Sequence, residues 1–150
     1  MSIGEPASGS PTPLSTRESP YIVTFDGGAD PNPGKGYGSF HISSPTGQEL
    51  LERRDYSGSG RPMTNNQAEY RTLIEALLFL KQKLGARAPV EHVRVEGDSQ
   101  LVINQVQGTW KVRQEELKPL RNEAATLGAS FGSIAYRWHR RDNSVRILGH

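Results

Sequence analysis

"YIVTFDGGAD", Tyr21–Asp30, sets a run of strand-forming residues directly against an acidic residue and two glycines. Tyr21–Phe25 alternates β-branched and aromatic residues, the pattern of a strand. A buried strand that ends on a carboxylate, Asp26, and then drops two side chains needs a reason. Two reasons fit Asp-Gly-Gly by itself. One is a tight turn with positive φ; the other is a bare strand end that lets a ligand's backbone come close. A lone carboxylate does not choose between them, so its partners have to be sought elsewhere in the chain.

Upstream lies a different kind of sequence. Eleven of the first twenty residues are Pro, Gly or Ser, and only Ile3 and Leu14 are sizeable apolar groups. Such a segment buries too little to offset its ordering entropy, so residues 1–20 are expected to be a disordered tail and residues 21–150 the folded domain. The 150 residues, 34% hydrophobic and 23% charged, fit one soluble domain. There is no signal-peptide pattern and no run long enough to span a bilayer. The absence of cysteine rules out a disulfide framework and a thiolate metal site, and permits a reducing cytoplasm. A cytoplasmic monomer without a membrane partner is the expectation.

Net charge is +2, and the tail carries −1 (Arg17 against Glu5 and Glu18), leaving +3 for residues 21–150. Distribution is more informative than the total. Lys111, Arg113 and Lys118 fall within eight positions, and Arg137, Arg140, Arg141 and Arg146 crowd the C-terminus. A solvated basic face explains these clusters as readily as a polyanionic partner does.

Downstream, Tyr37–Ser43 and Gln48–Arg54 flank Pro45-Thr46-Gly47 and read as a hairpin, so the first three strands form an antiparallel meander. Thr64-Asn65-Asn66-Gln67 is a capping box. Behind it Tyr70, Leu73, Ile74, Leu77, Leu78 and Leu80 recur at helical spacing until Gly85 stops the helix. A strand over Val90–Glu96, a short helix over Ser99–Gln105 and a longer one over Gln114–Leu127, with Pro119 near its start, come next. Ser133–Trp138 reads as a fifth strand and Asn143–Gly149 as a last helix. The order βββαβααβα implies an α/β fold, a five-stranded mixed sheet with helices on its faces.

In that order three carboxylates fall at related places. Asp26 ends the first strand, and Asp98 follows the strand ending VRVEG and precedes a helix. Ligand sites in α/β sheets lie beyond the carboxyl ends of strands, so parallel neighbours would bring the two side by side. Glu69, one turn before Leu73, points back towards the sheet. Clustered carboxylates repel, burial sharpens the repulsion, and a hard divalent cation such as Mg²⁺ relieves it. A metal site at Asp26, Glu69 and Asp98 is therefore expected, and it favours the ligand reading of Gly27 and Gly28 over the turn.

Three blocks now resemble one known family: FDGGADPNPGKGYGS at 25–39, TNNQAEYRTLIEALLFL at 64–80 and VEGDSQLVINQVQGTWKV at 95–112. They are similar to type 1 ribonuclease H over residues 21–150. The resemblance implies the ribonuclease H-like fold and metal-dependent hydrolysis of the RNA strand of an RNA–DNA hybrid. It implies two Mg²⁺ ions, with Mn²⁺ as a possible substitute, at Asp26, Glu69 and Asp98, and a fourth acidic residue near the C-terminus. One ion would activate water and the other stabilise the leaving 3′ oxygen, giving 5′-phosphate and 3′-hydroxyl ends. No small organic cofactor is implied.

At the fourth position the chain departs from the family, whose R-x-x-N-x-x-A-D-x-L-A is replaced by WHRRDNSVRILGH. In one register Asp142 keeps the carboxylate; in the other Asn143 stands there. The family's apolar residue two places after the Asp favours Asn143, because Val145 then follows it, whereas Asp142 is followed by Ser144. Asn143 would serve equally as the N-cap of the last helix. As a ligand it lacks charge, so weaker occupancy of one metal position is expected, not an inert protein.

The resemblance also assigns substrate contacts. The backbone at Gly27 and Gly28, with Glu69 and Asn66 or Gln67, matches positions that touch RNA, where 2′-hydroxyls distinguish it from DNA. Thr64 and Asn65, at a helix N-terminus suited to phosphate, match residues that hold the DNA strand. Trp110 either stacks along a DNA sugar or lids the core. Only Lys111–Arg113 remains of the family's basic protrusion, so affinity is expected to be modest and salt-dependent. His139 is either a mobile histidine aiding product release, a phosphate contact or a surface residue. Rival readings are a hybrid-binding module without catalysis, a nuclease for another structured nucleic acid, and a dinucleotide site on Gly34-x-Gly36-x-Gly38. The last needs a helix after the glycines, yet Ser39-Phe40-His41-Ile42 alternates as a strand.

Overall fold

The computed structural model describes residues 19–149. Most of the expected tail, residues 1–18, lies outside them.

Strand β1 spans Tyr21–Asp30, five residues beyond the predicted end. Gly27 and Gly28 sit within it, paired with Gly38 and Tyr37 of the antiparallel strand β2, Lys35–Ser43. Neither is among the glycines with positive φ, which excludes the turn reading. β2 continues through Gly47, φ 91°, into β3, Glu49–Asp55. The meander is as read.

Helix α1, Asn65–Leu84, starts on both halves of the predicted capping box. The Gln67 N–H donates to Thr64 Oγ1 at 3.1 Å and the Thr64 N–H to Gln67 Oε1 at 2.9 Å. Such a cap contributes about 1 kcal/mol. Tyr70, Leu73, Ile74, Leu77 and Leu80 are each at most 1% exposed, and full burial of an apolar side chain stabilises by about 1.5–3 kcal/mol. Leu78 falls off that stripe and is 38% exposed. After α1 a 3₁₀ turn covers Gly85–Val90, so β4 begins at His92 instead of Val90 and runs to Gly97. Ser99 caps α2, Gln100–Val106, its Oγ accepting from the Val102 N–H at 3.2 Å. Helix α3 is Lys118–Gly128, shorter than predicted. Pro119 has no N–H to give the Glu115 carbonyl, so Glu115–Leu117 forms a separate 3₁₀ turn. β5 is Ser133–Trp138 as expected, and α4 is Arg141–Leu148.

The strand order is β3-β2-β1-β4-β5, with β1 and β4 parallel and β4 and β5 parallel. This is the five-stranded mixed α/β sheet expected. Val23 and Phe25 of β1, Phe40 and Ile42 of β2, and Val93 and Val95 of β4 pack with α1 into one core. Two glycines permit the close approach of α1. A Cβ on Gly27 would stand 2.6 Å from the Ala68 carbonyl oxygen, and one on Gly38 would stand 1.8 Å from Thr72 Oγ1. Gly36 and Gly38 are strand residues of β2, which removes the dinucleotide reading of Gly34-x-Gly36-x-Gly38. Because side chains alternate along a strand, Gly27 facing α1 turns Asp26 to the opposite side, where α4 packs on β1 and β2.

Candidate active site

The last pair of the β1–β4 ladder is Phe25 with Gly97, so Asp26, still within β1, and Asp98, just past β4, come next to each other. Glu69 reaches them from the second turn of α1, whose backbone at Ala68 and Glu69 rests on bare Gly27. Each of the three carboxylates offers an oxygen, and these oxygens lie within 4.8 Å of one another. Asp26 is 3% exposed. Burial is the main reason the Glu69 carboxyl is pushed up to about 8. A hydrogen bond from Ser99 opposes that rise, the charges of Asp26 and Asp98 add to it, and Arg141 lowers it.

Arg141 is the residue that sequence reasoning missed. It opens α4 and aims Nη1 into the cluster, donating to Asp26 Oδ1 and Oδ2 at 3.1 and 3.0 Å and to Asp98 Oδ2 at 3.1 Å. The Asp26 charge is the main cause holding its guanidinium above the ordinary arginine range. Two further supports were missed. Ser99 both caps α2 and donates to Glu69, and Trp138 Nε1 donates to the Asp98 carbonyl at 3.0 Å. A polar residue beside Asp98 was a visible signal for Ser99; neither Arg141 nor Trp138 had one, since both act across the fold.

The C-terminal expectations need correction. α4 starts at Arg141 with Arg140 as N-cap residue, so Asn143 is not the cap. It stands in the first turn, half-buried, its N–H bonded to the Arg140 carbonyl at 3.0 Å. Asp142 is outside the carboxylate group, with a 74% exposed side chain 3.8 Å from Arg140 Nε. Val145, which set the register, is 42% exposed, while Ser144 and Leu148 face inward. His139 is seated, not free: its side chain is 9% exposed, Nε2 shares a 2.8 Å hydrogen bond with Ser144 Oγ, and Nδ1 is 3.8 Å from Glu96 Oε1.

The expected substrate residues divide. Thr64 and Gln67 spend side-chain oxygens on the cap, and Asn65 Oδ1 accepts from the Ala29 N–H at 2.8 Å, tying α1 to the end of β1. Thr64, Asn65 and Asn66 nonetheless line a groove of about 420 Å³ with Asn32, Pro33 and Gln114. Gly28 lies against the Tyr37 hydroxyl. Trp110 is 47% exposed, which excludes the core-lid role, and lines a groove of about 450 Å³ with Lys111 and Arg113.

A reverse transcriptase-like family model matches residues 25–146, a span that holds the whole cluster. The chain belongs to that family. The ribonuclease H resemblance holds within it. Ribonuclease HI of Halobacterium salinarum is 35% identical over 107 residues, 71% of this chain and 50% of that protein. A bifunctional protein of Mycobacterium tuberculosis is 38% identical over 118 residues, 78% of this chain and 30% of that protein. The chain thus spans half or less of the length of these relatives. Among solved structures, the N-terminal RNase H domain of the same mycobacterial protein has a TM-score of 0.69 at 30% identity, covering 87% of this chain and 91% of that one. A metagenomic RNase H1 from compost, solved in complex with an RNA/DNA hybrid, has a TM-score of 0.74 at 29% identity, covering 85% of this chain and 90% of that one.

Proposed function

We propose that residues 21–150 form a ribonuclease H domain, acting as a monomer, that cleaves the RNA strand of RNA–DNA hybrids and leaves 5′-phosphate and 3′-hydroxyl ends. The observation that carries this reading is the meeting of Asp26, Glu69 and Asp98 within 4.8 Å where the parallel pairing of β1 and β4 ends. The donor set fits hard divalent cations: three carboxylates, one deeply buried, whose mutual repulsion already draws a guanidinium. Two Mg²⁺ ions, or Mn²⁺ in their place, would be held by Asp26, Glu69 and Asp98 and would supply water activation and leaving-oxygen stabilisation. Asn143 is proposed as a neutral fourth donor from the first turn of α4.

The protein's own groups do the rest. Ser99 and Trp138 orient Glu69 and the Asp98 loop. The groove at Thr64, Asn65 and Asn66 is proposed to take a DNA phosphate, and Trp110 with Lys111 and Arg113 to hold the DNA strand. Backbone groups at Gly27 and Gly28, with Asn66, Gln67 and Glu69, are proposed to sense the 2′-hydroxyls of the RNA strand. The relative solved with an RNA/DNA hybrid supports this substrate class.

A second reading, a hybrid-binding module with weak catalysis, is favoured by the lack of a fourth carboxylate in the cluster among the described residues and by Arg141 lying among the other three. One experiment separates them: end-labelled RNA–DNA hybrid, duplex RNA and duplex DNA incubated with Mg²⁺, Mn²⁺ or EDTA. Metal-dependent cutting confined to the hybrid's RNA strand is expected. Binding without cutting selects the second reading, and cutting of duplex DNA overturns the substrate assignment.

A further inference from the structure

We propose that Arg141 is a built-in counter-ion of the carboxylate cluster, which divalent ions have to displace in order to bind. This inference rests on the metal-site reading above and concerns what already holds the cluster together. Ionised carboxylates this close, with Asp26 buried, repel one another and favour a compensating cation. Arg141 supplies one, its Nη1 spanning both oxygens of Asp26 and one of Asp98 at 3.0–3.1 Å. These oxygens belong to two of the residues proposed as metal ligands, so the guanidinium and a metal ion compete for the same lone pairs.

The geometry lets the side chain leave while its helix stays. The Arg141 side chain is 61% exposed, so an outward path lies open to solvent. Its helix is tied down behind it. Leu148 is fully buried, Ser144 shares the 2.8 Å hydrogen bond with His139, and Arg53 Nη2 donates to the Leu148 carbonyl at 3.3 Å. An arginine remains charged throughout the working pH range, so its own titration does not release it. Release depends on divalent-ion concentration, and ion binding becomes an exchange of one cation for another.

The test is Mn²⁺ binding, by titration calorimetry or the loss of the free-ion EPR signal, together with melting in EDTA. Arg141→Gln removes the charge and keeps hydrogen-bonding capacity; Arg141→Lys keeps the charge. Arg141→Gln is expected to bind Mn²⁺ roughly tenfold tighter, yet to melt lower than wild type in EDTA. Arg141→Lys is expected to stay near wild type in both. A merely structural arginine would move melting without tightening Mn²⁺ binding. Asp26→Asn, run in parallel, separates the two readings. Wild-type Mn²⁺ binding that is absent, or that survives Asp26→Asn, sinks the metal site and this inference with it. Binding that needs Asp26 but is no tighter in Arg141→Gln overturns the Arg141 role alone.

Discussion

The two halves of the candidate site are built differently. One half, Asp26, Glu69 and Asp98, hangs on β1, α1 and β4, the most buried part of the fold, with Phe25, Val95 and Leu73 each at most 1% exposed behind it. The other half is α4, eight residues whose first two are exposed and whose contribution to the cluster is a cation. In the first half backbone packing dictates where each carboxylate stands. In the second, a flexible side chain chooses its partner. Acidic chemistry that is positioned by a core is hard to move; a counter-charge on a surface helix is free to exchange.

The largest effect is expected from breaking the buried half. Asp26→Asn should lower metal-dependent cleavage of the hybrid by more than about 100-fold, since even substituting a partner of a metal ligand typically costs 10–100-fold. Melting temperature should change by only a few degrees, because Asn keeps the volume and relieves repulsion. Cleavage within tenfold of wild type would show that the cluster is not the reacting site. Gly27→Ala comes next. Its new methyl would meet the Ala68 carbonyl oxygen at 2.6 Å, a backbone contact that only a shift of α1 can relieve. Overpacking of this kind costs about 1–3 kcal/mol. Thermal melting should fall by several degrees, and cleavage should fall further than the folded fraction does, because Glu69 moves with the helix.

The same division explains what could be read from the chain. Regular elements imposed by local chemistry were legible: the Thr64–Gln67 capping box, the buried stripe of α1 and the fifth strand at Ser133–Trp138 all stand where expected. Parallel pairing of β1 and β4 was enough to bring Asp26 beside Asp98. Gly27 has a further use that the chain did not show, since it makes room for a helix backbone, a contact that exists only in three dimensions. Arg141 was legible only as part of a basic cluster. Whether such a residue faces solvent or reaches a carboxylate 115 positions away depends on where α4 begins, and Arg140 carries no capping side chain to mark that start.

A smaller effect, in pH, comes from Glu69 in the buried half. Its carboxyl is pushed up to about 8 by burial and by its acidic neighbours. A group that ionises less readily in the folded chain stabilises it fully below the ordinary carboxylate range. That contribution is lost as pH rises through about 8. In EDTA, wild type should therefore melt lower at pH 8.5 than at pH 6, and Glu69→Gln should show less of that fall. Divalent-ion affinity should run the other way, rising towards pH 8 as the proton ceases to compete. An equal melting shift in Glu69→Gln would assign the pH dependence to other groups.

The smallest effects belong to the exposed half. Asp142 is 74% exposed in its side chain and pairs only loosely with Arg140, so Asp142→Ala should leave cleavage within about twofold. Loss of cleavage in that variant would mean that α4 turns in the working complex so that Asp142, not Asn143, faces the metals. Asn143→Asp tests the same helix from the other side. A carboxylate in the first turn of α4 is favoured by the helix dipole, by about 0.3–1 kcal/mol, so the variant should fold at least as well as wild type. If Asn143 is the neutral fourth donor, the added charge should raise cleavage severalfold at limiting Mg²⁺ and little at saturating Mg²⁺. That dependence on metal concentration is the discriminating readout, because a change confined to helix stability would alter both conditions alike.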